Sequence, residues 1–231
     1  MKKYAALLTV ISAIALPNLT LAQPPLNLTC AKRHIVTYYE SGLYEKEVAA
    51  IVSKAEKNLI KKITENNALR HPRKLAIVLD IDDTSLTNFP DHKKRDFNNS
   101  EEAIDASYRQ ADAPAIQPVL NLYNLAIKNG VEVFFVSFRP EAVRSYTITN
   151  LQKVGFYGWS GLYLANEKEV QLPPACYKTA VRKILTEKGY QIVLNLGDQV
   201  SDVEGGLADF THLIPNPLYN TSPTACLAKL N

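Results

Sequence analysis

Between Leu75 and Leu196 the chain switches repeatedly between two hydrophobic periods, and this alternation restricts the folds open to it. Leu75-Ala76-Ile77-Val78-Leu79 is a short apolar run of strand type that ends at Asp80. Ile116, Val119, Leu120, Tyr123 and Ile127 then recur at helical spacing and stop before Gly130. Residues 131–136 read as a strand. Pro140 opens a helix carrying Val143, Ile148, Leu151 and Val154, closed by Gly155. Leu162-Tyr163-Leu164 reads as a strand. Pro173-Pro174 precede a helix with Tyr177, Val181, Ile184 and Leu185, closed by Gly189, and residues 192–196 form another strand. Strands that alternate with helices predict an α/β fold, a parallel sheet covered by helices on both faces.

Upstream, Tyr44, Val48, Ile51, Val52, Ala55, Leu59 and Ile63 predict an N-terminal helix over residues 42–66 that packs one apolar face on the core. From Thr84 to Pro114 the chain turns polar, with Asp91, His92, Lys93, Lys94, Arg95 and Asn98-Asn99. A short helix is expected near residues 100–110. A segment of this length is unusual as a bare loop, so 84–114 is expected to be a cap-like insertion. The 231 residues suit one domain with a full core.

The first 22 residues stand apart. Lys2 and Lys3 precede an apolar run from Tyr4 to Leu16, and Thr20-Leu21-Ala22 follow. This is the charged, apolar, small-residue order of a signal peptide, with cleavage expected after Ala22. The run is shorter than the roughly 20 residues of a spanning helix. The mature protein, residues 23–231, is therefore expected in the periplasm or outside the cell, with no stable membrane association. Cleavage removes two lysines and no acids, so the formal charge of +3 falls towards neutrality. That balance gives no electrostatic case for a nucleic acid polymer as partner. Export permits a disulfide among Cys30, Cys176 and Cys226, but the spacing does not choose a pair. Self-association into a homo-oligomer also stays open.

Ligand sites in open α/β sheets lie beyond the carboxyl ends of the strands. The first strand ends in Asp80-Ile81-Asp82-Asp83-Thr84, the next in Ser137-Phe138-Arg139, and the strand at 192–196 in Gly197-Asp198-Gln199-Val200-Ser201-Asp202. Lys178 adds a cation in the first turn of a predicted helix. Each piece alone is ordinary turn or surface chemistry. Together, in this order, they resemble the four motifs of the haloacid dehalogenase superfamily. The stretches from Asp80 to Asn88 and from Leu151 to Ser160 narrow the resemblance, as do Tyr177-Lys178 and Gly197-Asp198-Gln199. They point to the acid phosphatase branch that includes plant vegetative storage proteins and secreted bacterial acid phosphatases. The resemblance covers roughly residues 30–220 and implies a Rossmann-like three-layer fold with a small cap.

The resemblance also implies roles. Asp80 attacks a phosphate monoester and forms an aspartyl-phosphate that water hydrolyses. Mg²⁺ offsets the charge, held by Asp80, the main-chain carbonyl of Asp82, and Asp198. Asp82 protonates the leaving oxygen and then deprotonates the water. A dehalogenase expels halide, which needs no proton, so an acid at 82 favours phosphatase chemistry. Ser137 and Lys178 bind the phosphate, with Arg139 assisting or forming a structural salt bridge. Asp202 and Thr84 support from behind, with Asp202 holding water or orienting Lys178. Asp83 is expected to face solvent. Many relatives read Thr-Gly-Arg where this chain has Ser137-Phe138-Arg139, which puts the local backbone shape in question. Small phosphate monoesters are the expected partners, with nucleotides among them if Phe89, Phe97 or Tyr108 stack on a base; these rings also suit a small core within the insertion. A storage or phosphate-binding protein of the same fold, or a phosphotransferase, are the alternatives.

Overall fold

The computed structural model describes residues 27–221, so the leader expected at 1–22 and Cys226 lie outside the described residues. Five parallel strands form one sheet in the order β3-β2-β1-β4-β5. They are β1 Lys74–Leu79, β2 Glu132–Pro140, β3 Gly161–Ala165, β4 Tyr190–Gly197 and β5 Phe210–Leu213. The helices are α1 Leu28–Glu40, α2 Leu43–Asn67, α3 Phe89–Lys94, α4 Glu101–Gln110, α5 Gln117–Lys128, α6 Arg144–Lys153, α7 Pro174–Glu187 and α8 Val200–Val203. Among the described residues no helix is long and apolar enough to cross a membrane.

β1 shows why the sheet carries helices on both faces. Leu75, Ile77 and Leu79 pack with Val48 and Leu59 of α2 and Val119 and Leu122 of α5. The alternate residues Ala76 and Val78 pack with Tyr177, Val181 and Leu185 of α7. A strand buried on both faces must be apolar at every position, as the run 75–79 is. Strand period and helix stripe together produce the three layers. Ile184 leaves the predicted stripe and is exposed. The buried face of α7 is centred on Lys178, Arg182 and Leu185, which turns Ile184 beyond its margin.

Several elements are absent from the sequence reading. β2 runs four residues further than expected, through Ser137 and Arg139 to Pro140. β5 is a short edge strand, half-buried and exposed by turns, so it carries no apolar run. α3 and α8 are too short for a hydrophobic period. α1 has no buried residue of its own. Its contacts are ring stacks, ion pairs and the packing of half-buried Tyr38 and Tyr39 against the core. Tyr39 stacks on Phe89 of α3 at 4.0 Å and on Tyr44 of α2 at 4.2 Å. Lys32 pairs with Asp96 at 2.7 Å, and Glu40 pairs with Lys93.

The insertion folds as α3 and α4 over the carboxyl ends of β1 and β2. Ser100 caps α4, accepting from the Ala103 N–H at 3.3 Å. Cys176 is disulfide-bonded, and Cys30 is an exposed thiol.

Candidate active site

The site begins where β1 runs out. Asp80 N–H donates to the Leu196 carbonyl at 3.0 Å, so Asp80 extends the β1–β4 pairing by one residue. A tight turn follows, in which the N–H groups of Ser85 and Leu86 both donate to the Ile81 carbonyl. Asp83 occupies the left-handed region with φ of 52°, a conformation that Asp tolerates better than most residues. The turn places the side chains of Asp80 and Asp82 on the cavity wall.

Asp83 itself does not face solvent as expected. It is fully buried, because the turn tucks it under the insertion. Its Oδ1 accepts from Asn88 N–H at 2.8 Å and its Oδ2 from Asn88 Nδ2 at 3.2 Å. Burial first, then the Asp198 charge, pushes its pKa up to about 8.

β4 brings the second acidic group. Asp198 Oδ1 accepts from Thr84 Oγ1 at 2.8 Å, and Oδ2 accepts from Gln199 Nε2 at 2.6 Å and Asn216 Nδ2 at 2.7 Å. Burial raises its pKa to about 6, helped by the charge of Asp202 and opposed by these donors. Asp202 Oδ2 accepts the N–H groups of Asp198 at 3.0 Å and Gln199 at 2.8 Å, while Oδ1 takes the Lys178 ammonium. This close return needs a glycine at 197. A Cβ there would lie 2.2 Å from the Asp202 Cβ.

Lys178 Nζ is 2.7 Å from Asp80 Oδ1 and also bonds Asp202, so one buried cation bridges the ends of β1 and β4. Burial opposes its charge, but the two carboxylates outweigh burial and hold it protonated. Lys178 is the fifth residue of α7, one beyond the expected first turn. The N–H groups of Cys176 and Tyr177 are spent on the Pro173 carbonyl, and Pro174 has none, so this helix end offers little to an anion.

β2 supplies Ser137 and Arg139, both buried. Ser137 Oγ accepts from the Arg139 N–H at 3.2 Å and lines the cavity. Arg139 forms a bidentate pair with Asp82, Nε to Oδ2 and Nη2 to Oδ1, each at 2.8 Å. Burial alone would raise the Asp82 pKa, but Arg139 and then Asn88 outweigh it and hold the carboxyl below its ordinary range. Arg139 thus forms a salt bridge, with a partner the sequence did not specify. Phe138 packs edge-on against Tyr177 at 5.9 Å. Its backbone is not left-handed, so the position does not require the glycine of many relatives.

Of Phe89, Phe97 and Tyr108 only Tyr108 lines the cavity, with the Arg139 guanidinium over its ring at 4.3 Å. Phe89 packs on Tyr39 instead, and Phe97 lies beside His92. The cavity holds about 320 Å³ and opens above Asp80, Asp82, Ser137, Arg139 and Lys178. Tyr219 and Asn220 add a wall that no motif marks. Asn216 is likewise outside every motif, whereas Asn88 stands within the matching stretch after Asp80.

One oxygen from each of Asp80, Asp198 and Asp202 lies within 4.8 Å of the others. Burial, then the opposing effects of Lys178 and the neighbouring acids, leaves the Asp80 pKa well above its ordinary value. The acidic side chains outnumber the cations that touch them, and every donor atom is oxygen. A hard divalent cation fits that donor set.

An α/β parallel sheet with its acids at the ends of β1 and β4 is a fold of the haloacid dehalogenase type. Within it, the chain belongs to the HAD superfamily, subfamily IIIB (Acid phosphatase), whose model matches residues 18–222. The chain is 36% identical over 157 residues to a stem 28 kDa glycoprotein of Glycine max, covering 64% of this chain and 61% of that one. It is 34% identical over 146 residues to acid phosphatase 1 of Solanum lycopersicum, covering 62% and 57%. Vegetative storage protein 1 of Arabidopsis thaliana is 31% identical over 156 residues, covering 66% and 57%. The chain thus spans about three fifths of the length of these relatives. The class C acid phosphatase of Bacillus anthracis shares the fold, with a TM-score of 0.65, 22% identity, and 84% and 85% of the two chains covered.

Proposed function

We propose that the protein is an exported, Mg²⁺-dependent acid phosphatase that hydrolyses small phosphate monoesters through an aspartyl-phosphate on Asp80. The observation that carries this reading is the placement of Asp80, 2.7 Å from Lys178 and grouped with Asp198, at the floor of a cavity bordered by Asp82, Ser137 and Arg139. Export rests on the leader-like order of residues 1–22 and points to the periplasm or the medium.

Asp80, Asp198 and the Asp82 carbonyl would hold Mg²⁺, with Asp202 behind them. The ion supplies positive charge that screens the phosphate from the carboxylates. Lys178 favours the ionised form of Asp80 and neutralises part of the incoming charge. An Asp80 oxygen attacks phosphorus while the bond to the leaving oxygen breaks. The Ser137 hydroxyl donates to a phosphoryl oxygen. Arg139 holds Asp82 as a carboxylate facing the leaving group. At acidic pH a monoester monoanion brings its own proton, which Asp82 accepts and passes to the leaving oxygen. Asp82, ionised again, then takes a proton from the water that cleaves the aspartyl-phosphate.

Aryl, alkyl and nucleoside phosphates assayed across pH, with Mg²⁺ or with a chelator, test the reading. Hydrolysis that needs Mg²⁺ is expected. A chain that binds Mg²⁺ but hydrolyses none of them is instead a binding or storage protein. Asp82→Asn is expected to slow alkyl esters by roughly 10²–10⁴ and aryl esters, whose leaving oxygen needs no proton, far less. Equal losses on both would argue against Asp82 as the acid that protonates the leaving oxygen.

A further inference from the structure

Arg182 lies on α7, one turn beyond Lys178, and is completely buried. Its partners are main-chain carbonyls and one hydroxyl. Nη1 donates to the Asp202 carbonyl at 2.6 Å, Nε to Gly206 at 3.1 Å, and Nη2 to Thr179 Oγ1 at 3.1 Å and to the Glu204 carbonyl. Burying a guanidinium against neutral acceptors is costly, so stability alone is a poor reason for it. The arrangement makes sense from the other side of the loop it grips.

The grip centres on Asp202. Its carbonyl also accepts from Asn195 Nδ2 of β4 at 2.8 Å. Two buried side chains therefore hold the main chain of Asp202 from behind. Its carboxylate meanwhile faces forward, to Lys178 and to the N–H groups of Asp198 and Gln199. A shift of Asp202 must move both Lys178 and Asp198. Gly205, with φ of 80°, leaves room for the second contact, since a Cβ there would meet Thr179 Oγ1 at 2.3 Å. Residues 202–206 are thus pressed against α7 at several points.

We infer that Arg182 is a positioning residue for the cation site, acting through Asp202 to fix Asp198. The inference rests on the functional reading above. Only a planar fork with five donors can hold the carbonyls of Asp202, Glu204 and Gly206 together, whereas a lysine head is one compact group. Outer partners of this kind typically tune metal affinity by about 10- to 100-fold.

The test uses the purified full chain and measures Mg²⁺ affinity by calorimetry, with thermal unfolding alongside. Arg182→Lys is expected to weaken Mg²⁺ binding by about 10-fold or more and to shift the Mg²⁺ dependence of aryl phosphate hydrolysis by the same factor. Leu185→Ala, on the same buried face of α7, is the control. It lowers the unfolding temperature without touching residues 202–206, and its Mg²⁺ affinity is expected to stay within about twofold of wild type. A folded Arg182→Lys protein with wild-type affinity overturns the inference, and so does equal weakening in Leu185→Ala. If Arg182→Lys does not fold, Asn195→Ser decides, because it removes the second donor to the Asp202 carbonyl; unchanged affinity there overturns the inference as well. A wild-type chain that binds no Mg²⁺ overturns the functional reading together with this inference, whereas a wild-type enzyme with Mg²⁺-dependent activity and an unaffected Arg182→Lys variant overturns this inference alone.

Discussion

Asp80→Asn should abolish turnover of an aryl phosphate, lowering kcat by roughly four to six orders of magnitude, and yet leave the protein folded. The size of the loss follows from the role proposed for Asp80. An amide cannot form the acyl phosphate, and removing a nucleophile costs far more than removing a group that only positions. The fold should survive because the substitution keeps the shape and removes a charge that its surroundings disfavour. Asp80 is 5% exposed, and burial together with Asp82, Asp198 and Asp202 acts against its ionised form. Lys178 loses one partner but keeps Asp202. The unfolding temperature is therefore expected to hold or rise, the usual relation between a strained site and its function. Turnover near the wild-type rate in a folded Asp80→Asn protein would sink the nucleophile assignment.

The second large effect concerns the cation. Stripping the protein with a chelator is expected to remove activity, and excess Mg²⁺ to restore it. Asp198→Asn should weaken Mg²⁺ binding by roughly 100-fold or more, beyond the effect of an outer partner. The local structure opposes the amide in a specific way. Gln199 Nε2 and Asn216 Nδ2 both donate to Asp198 Oδ2, so only Oδ1, beside the Thr84 hydroxyl, can accommodate an NH₂ group. The Thr84 hydroxyl can reverse its role and accept. Calorimetry on the variant checks this, and unchanged Mg²⁺ affinity would exclude Asp198 as a ligand.

How much of this was legible depended on the physical signal each part carries. β1 and β4 are buried on both faces, so they read as apolar runs, broken in β4 by Asn195, that lead into acids at Asp80 and Asp198. Those ends located Asp80, Asp82, Asp198 and Asp202 together. β5 has one exposed flank and four residues, and it leaves no such trace. Asp83 was misread because identity does not reveal the hand of a turn. Its positive φ turns the side chain inward to the Asn88 amide, which only the folded loop shows. Arg139 posed the same difficulty. Two residues past Ser137 it could face phosphate or acid, and the bidentate fit to Asp82 is a matter of three dimensions. Asn216 and Tyr219 enter the site from beyond β5, where no spacing rule reaches.

The stacking of Tyr39 on Phe89, with the ion pairs of Glu40 to Lys93 in α3 and of Lys32 to Asp96 just beyond it, has a temporal consequence. α1 has no fully buried residue and divides its contacts between its neighbour α2, through the stack on Tyr44, and a segment some fifty residues later in the chain. Its docking is incomplete until α3 exists, and α3, at six residues, is too short to persist alone. The two are expected to assemble as one late cooperative unit after the sheet has formed, and to open as one. Amide exchange should show matched, weak protection in α1 and α3 against strong protection in β1. Independent opening rates in α1 and α3 would contradict this. A protein built this way completes the wall over its cavity last, so a chain caught part-way through folding would carry its acids without yet having a roof.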